Sequence, residues 1–202
     1  MLNRRSFLAL SAAGFALSGT VATAHSKTIP DYNLPPSMQP RRVAFAQGFA
    51  PGEIHVFPDQ FELYWTMPNA QAMRYKVGVG RPGLYESGEF YVGAKKEWPS
   101  WTPTQAMIER EPEKYQQFAD GMAGGIENPL GARALYLFTS DRGDTFLRIH
   151  GTNEPSTIGV AVSNGCTRLV NNQIGDLYER VPVGTPVFLH PKLNPATGIA
   201  PS

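Results

Sequence analysis

Between residues 53 and 190 the chain keeps returning to one pattern: short runs in which apolar and polar side chains alternate, each stopped by Gly, Pro or Asp. Alternation with period two sends successive side chains to opposite faces, which suits a strand packed on one side and wetted on the other. Glu53-Ile54-His55-Val56 and Phe61-Glu62-Leu63-Tyr64-Trp65 flank Pro58-Asp59 and predict a hairpin. Tyr75-Lys76-Val77-Gly78-Val79 and Phe90-Tyr91-Val92-Gly93-Ala94, separated by Arg81-Pro82-Gly83, predict two more strands. Residues 134–139 and 145–150 predict a further pair around Asp141-Arg142-Gly143-Asp144. In the second of these, Leu147 and Ile149 share one face, and Phe146, Arg148 and His150 the other. Residues 185–190 supply a last strand, so the expected class is mostly β.

Two segments depart from the pattern. Residues 97–133 hold a Trp- and Pro-rich run, a helical piece over 104–120 and a Gly-rich stretch, and they predict an insertion beside the sheet. Further on, Ile174, Leu177, Tyr178 and Val181 recur at helical spacing. They predict a helix of about ten residues with Asn171 or Asn172 as its N-cap, stopped by Pro182-Val183-Gly184. Residues 25–41 are Pro-rich and aperiodic, a linker or arm, and residues 191–202 form a Pro-rich tail. That leaves one domain over 42–190. With 42% hydrophobic residues in 202, the chain can bury one substantial core.

The first 24 residues combine a basic start, a weakly hydrophobic run and Ala22-Thr23-Ala24, the order of an export signal cleaved after Ala24. Asn3-Arg4-Arg5-Ser6-Phe7-Leu8 fits the twin-arginine type of signal; the general secretory type is the other reading. Either one predicts an exported protein of the periplasm. There is no cysteine near the cleavage point for a lipid anchor and no apolar run of membrane-spanning length, so stable membrane insertion is not expected. The net charge is +1, with Arg4-Arg5 the only dense basic group, so nucleic acid is not an expected partner.

An exported chain normally pairs its thiols, and this one has a single cysteine, Cys166. A buried cysteine acting as a small apolar residue is the plain alternative. Its neighbours argue for chemistry instead: His150-Gly151-Thr152 on a strand end, then Ser163-Asn164-Gly165-Cys166-Thr167-Arg168. A thiol needs a base because it is only a few per cent ionised at neutral pH, and a histidine brought back by a connection of 15 residues supplies one. Gly165 permits close approach of the backbone, and the N–H groups of Gly165 and Cys166 are candidate oxyanion donors. Neither the one cysteine nor the scattered histidines show metal-ligand spacing, so no metal or cofactor is expected. His55 and His190 read as structural or surface residues.

HGT followed by S-x-G-C-x-R resembles the YkuD-type L,D-transpeptidase catalytic domain. So do Gly52-Glu53-Ile54, Tyr75-Lys76-Val77-Gly78-Val79-Gly80-Arg81, Pro99-Ser100-Trp101, the run from Asn128 to Leu137, Asp176-Leu177-Tyr178 and Val183-Gly184-Thr185-Pro186-Val187, in family order over roughly residues 50–189. The resemblance implies a mixed β-sheet sandwich or barrel with one or two short helices and a helical insertion. It implies that Cys166 attacks the bond between a diamino acid and D-Ala in a peptidoglycan stem tetrapeptide, forming a thioester. The acyl group then passes to a stem amine, to an envelope protein or to water, the last making a carboxypeptidase. By the same resemblance His150 is the base, oriented by a backbone carbonyl near Gly151, and carbapenem-type β-lactams are inhibitors. Asn164 stands where the family commonly has a second histidine that helps bind the oxyanion or polarise the site, which makes it an oxyanion-support candidate; an amide still donates a hydrogen bond but carries no proton. Arg168 either holds a substrate carboxylate or orders the loop through backbone carbonyls, and Trp98 and Trp101 either line a peptide groove or pack. A non-catalytic peptidoglycan-binding module is the alternative from a different class. Papain-like order places Cys before His, the reverse of this chain.

Overall fold

The computed structural model describes residues 28–193 apart from 33, so the predicted export signal, His25 and most of the tail lie outside the described residues. The strands are β1 (Arg41–Ala44), β2 (Ile54–Phe57), β3 (Glu62–Met67), β4 (Gln71–Lys76), β5 (Val79–Gly80), β6 (Gly88–Glu97), β7 (Arg133–Thr139), β8 (Gly143–His150), β9 (Ala161–Ser163), β10 (Thr167–Arg168) and β11 (Pro186–Leu189). The helices are α1 (Gln105–Arg110), α2 (Pro112–Tyr115) and α3 (Asn171–Arg180). One mixed sheet runs β1-β4-β3-β2-β11-β6-β7-β8-β10, and β5 pairs with β9 beside it. The β8–β10 and β2–β11 pairs are parallel; the neighbours between them are antiparallel.

The alternating runs explain the core. Ile54, Val56, Leu63, Val92, Leu135, Leu137, Ile149 and Val187 are all but inaccessible, and α3 lays Ile174 and Leu177 onto them. Burying each such side chain contributes about 1.5–3 kcal/mol. A short bond of 2.5 Å from the Tyr75 hydroxyl to Asp176 pins β4 to α3. Leu147 and Ile149 point into this core, as predicted, which turns Arg148 and His150 to the opposite side.

Three local expectations are corrected. The run 75–79 is not one strand: β4 ends at Lys76, and Val79 belongs to β5 in the second sheet, because Gly78 is drawn aside to bond Arg168 through both its N–H and its carbonyl. The helical piece over 104–120 breaks into α1, α2 and a 3-10 turn (Gln116–Phe118), since Pro112 has no N–H to continue α1. Asn171 does not cap α3. Val170 holds that position without a side-chain bond, and the Asn171 Oδ1 accepts the Ala132 N–H at 2.9 Å. The described part of the segment 25–41, expected as a linker or arm, has contacts with the domain: Gln173 donates to the Met38 carbonyl at 3.1 Å and Arg74 to that of Ser37 at 2.8 Å.

Candidate active site

Parallel pairing of β8 with β10 sets Thr167 opposite Ile149 and Arg168 opposite His150. Cys166 stands one residue before β10, at the end of the loop that leads into it. Cys166, Arg168, His150 and Arg148 line a cleft of about 610 Å³ whose other wall is the 97–133 insertion. Predicted as lying beside the sheet, that insertion roofs the site.

The loop bearing the thiol is braced from within. Ser163 donates through Oγ to the Cys166 carbonyl at 2.6 Å and accepts the Gly165 N–H at 3.2 Å. Gly165 has φ +123°, and a Cβ there would stand 3.0 Å from the Leu84 carbonyl oxygen, so geometry and space both demand glycine. The Gly165 N–H, one of the two candidate oxyanion donors, is therefore committed to Ser163. The thiol is half-buried, 3.9 Å from the carbonyl oxygen of Phe146. Phe146 itself sits at φ +62° beside a register shift in β8, and its N–H donates to Asp144 at 2.9 Å. Strained backbone of this kind clusters at functional sites.

His150 is buried, with Nδ1 2.5 Å from the Gly151 carbonyl oxygen. A carbonyl only accepts, so Nδ1 carries the proton and Nε2 is left as the basic nitrogen. Burial pushes the imidazole down to about 3, and the charges of Arg168 and Arg148 add to this against the Gly151 bond. Burial also pushes the Cys166 thiol up, opposed by the Arg148 backbone N–H and the charges of Arg148 and Arg168. Both shifts favour neutral forms, so the two groups rest as thiol and imidazole rather than as an ion pair.

Arg148, given no role by the sequence reading, is held by a bidentate pair with Asp144 at 2.6 and 2.8 Å and lies 4.1 Å over the Tyr136 ring. Its spacing of two from His150 was visible, but the Asp144 partner depends on the register shift. Arg168 is mostly buried; its Nη1 reaches Glu154 at 3.3 Å, while its Nε is buried without a partner. Trp101 lines the cleft and packs on Tyr115 and Phe118; Trp98 is not among the lining residues. Asn164 bonds to Arg81, Arg110 and Tyr115. His55 and His190 pair with each other at 3.1 Å outside the cleft.

A mixed sheet presenting one cysteine and one buried histidine in a roofed cleft defines a thiol–imidazole domain. The chain belongs to the YkuD family: residues 51–189 match its L,D-transpeptidase catalytic domain. It is 32% identical over 131 residues to the probable L,D-transpeptidase ErfK/SrfK of Escherichia coli K12, covering 63% of this chain and 40% of that protein. It is 31% identical over 142 residues to the putative L,D-transpeptidase YqjB of Bacillus subtilis, covering 69% and 72%. The match thus spans well under half of the Escherichia coli relative. Among solved structures, one titled a probable carnitine operon oxidoreductase caia from Brucella melitensis is 47% identical, covers 75% of this chain and 93% of that one, and has a TM-score of 0.53. The avibactam carbamoyl enzyme of Ldtfm shares the fold at 18% identity, with 70% and 49% covered and a TM-score of 0.52.

Proposed function

We propose that this protein is an exported peptidoglycan L,D-transpeptidase, in which Cys166 attacks the carbonyl joining a diamino acid to the terminal D-Ala of a stem tetrapeptide. The observation that carries the proposal is the His150 arrangement: Nδ1 tied to Gly151, which leaves Nε2 as the basic nitrogen, in the cleft that Cys166 also lines. The thiol proton passes to Nε2 as sulfur bonds to carbon, and His150 returns it to the leaving D-Ala amine. A thioester remains, which an amine opens in a cross-link or a protein attachment. With the Gly165 N–H committed to Ser163, the Cys166 N–H is the loop donor for the oxyanion. Arg168, with one partner and an unsatisfied Nε, holds a substrate carboxylate. The name of the Brucella relative belongs to that protein; the proposal rests on the family match and the thiol–imidazole geometry. The reading includes a periplasmic location and inhibition by carbapenem-type β-lactams.

Intact-mass spectrometry with a carbapenem tests it. The folded protein should gain one acyl adduct and Cys166→Ala none; equal labelling of the two, or none of the wild type, contradicts the proposal. Digested walls from cells with and without the protein then separate third-position cross-links, released D-Ala and attached protein as products of amine, water or protein acceptors.

A further inference from the structure

The residue two before the nucleophile spends its amide on the roof of the cleft. Asn164 Oδ1 accepts from Arg81 at 3.2 Å and from Arg110 of α1 at 3.1 Å, while Nδ2 donates to the hydroxyl of Tyr115, the last residue of α2, at 2.8 Å. Two guanidinium donors on one end fix which end is oxygen, so the three bonds are mutually consistent. Arg81 also pairs with Glu111 in the corner between α1 and α2. Arg81 is itself tied to the loop by its N–H, which donates to the Ser163 carbonyl at 3.0 Å.

Beyond these bonds and the packing of Tyr115 and Phe118 on Trp101, the helical part of the roof has little apolar burial. Neither α1 nor the 3-10 turn contains a buried residue, and α2 buries only Tyr115, whose hydroxyl is the atom Asn164 engages. Short helices with so little apolar burial open locally at low cost unless polar contacts retain them. Two of the three contacts are charge-assisted, the stronger kind of hydrogen bond.

We propose that Asn164 is a positioning residue whose amide latches the α1–α2 insertion to the nucleophile loop, so that the roof over Cys166 and the loop carrying it move as one. Its consequence for the reaction, resting on the function proposed above, is that the latched roof keeps water from the thioester while an amine enters.

Hydrogen exchange read by mass spectrometry on the purified protein tests the latch without any reaction. In Asn164→Ala, amides within 105–118 should exchange about ten-fold faster or more while those within 171–180 of α3 stay as in the wild type. Arg110→Gln should give part of the same effect. Asn164→Asp should stay close to the wild type, since a carboxylate accepts from both arginines and from the Tyr115 hydroxyl. Unchanged exchange over 105–118 in Asn164→Ala, an equal rise over 171–180, or an Asp variant as loose as the Ala variant would each overturn the proposal. Alkylation of Cys166, the one thiol, by iodoacetamide should quicken with the Ala variant and not with the Asp variant. A wild type that resists the carbapenem yet shows this exchange pattern defeats the function and leaves the latch. In an acylating wild type, the thioester should hydrolyse several-fold faster after Asn164→Ala and near its normal rate after Asn164→Asp.

Discussion

His150 Nδ1 stands 2.5 Å from the carbonyl oxygen of the next residue, Gly151, and a Cβ on Gly151 would stand 2.2 Å from the Asn171 Oδ1. The histidine's orienting carbonyl and the start of α3 therefore meet at one glycine. Gly151→Ala forces either Asn171 off the Ala132 N–H or the Gly151 carbonyl off the imidazole. Thermal unfolding should show a loss of about 1–3 kcal/mol, with slower acylation. An unchanged melting temperature with unchanged acylation would show that the site relaxes freely.

His150→Gln keeps a polar side chain but removes the basic nitrogen. Because burial holds the thiol neutral, no stable thiolate waits to attack without a base. Carbapenem acylation should fall by about 10³-fold or more, with the fold retained by circular dichroism. A loss of less than ten-fold would mean that another group takes the proton.

The same histidine makes stability depend on pH in a definite direction. Its folded value lies near 3 against an ordinary 6.5, so below about 6.5 the unfolded chain takes up a proton that the folded chain refuses. Stability is full above that range and is lost as pH falls toward 3, at up to about 1.4 kcal/mol per pH unit. His55 and His190 are also shifted down, mainly by burial, and add in the same sense. Urea unfolding at pH about 7, 6 and 5 should show the wild type weakening faster than His150→Gln; parallel curves would remove His150 from the account.

Much of the sheet was legible because its strands alternate so regularly that burial follows period two, as Leu147 and Ile149 show against Arg148 and His150. The pairing of His150 with Cys166 in one cleft was legible from segment order and resemblance. What escaped was set by long-range partners. Gly78 leaves its strand because Arg168 claims both of its backbone groups, a contact across 90 residues that no local pattern announces. Asn171 looked like a cap because Asn often caps; the buried Ala132 N–H needed its oxygen more. Asn164 reads as a replacement for a histidine beside the nucleophile, whereas two of its three side-chain partners, Arg110 and Tyr115, lie in the insertion, the part least constrained by periodicity.

Arg168 separates a charge that binds substrate from one that shapes the loop. Its backbone already bonds Gly78 in both directions, so β10 does not depend on its side chain for alignment. The guanidinium has Glu154 at 3.3 Å as its side-chain partner, and Glu154 is 60% exposed there, so a substrate carboxylate can displace it at small cost. Arg168→Lys keeps the charge but loses the planar fork, and Arg168→Gln loses both. If the fork holds a carboxylate, both variants should raise KM for a stem tetrapeptide by about ten-fold, with kcat changed much less. The melting temperature should stay within a few degrees of the wild type. A fall in kcat at constant KM would place the arginine's effect on the thiol and imidazole it borders, and a large drop in melting temperature would make it a brace of the loop.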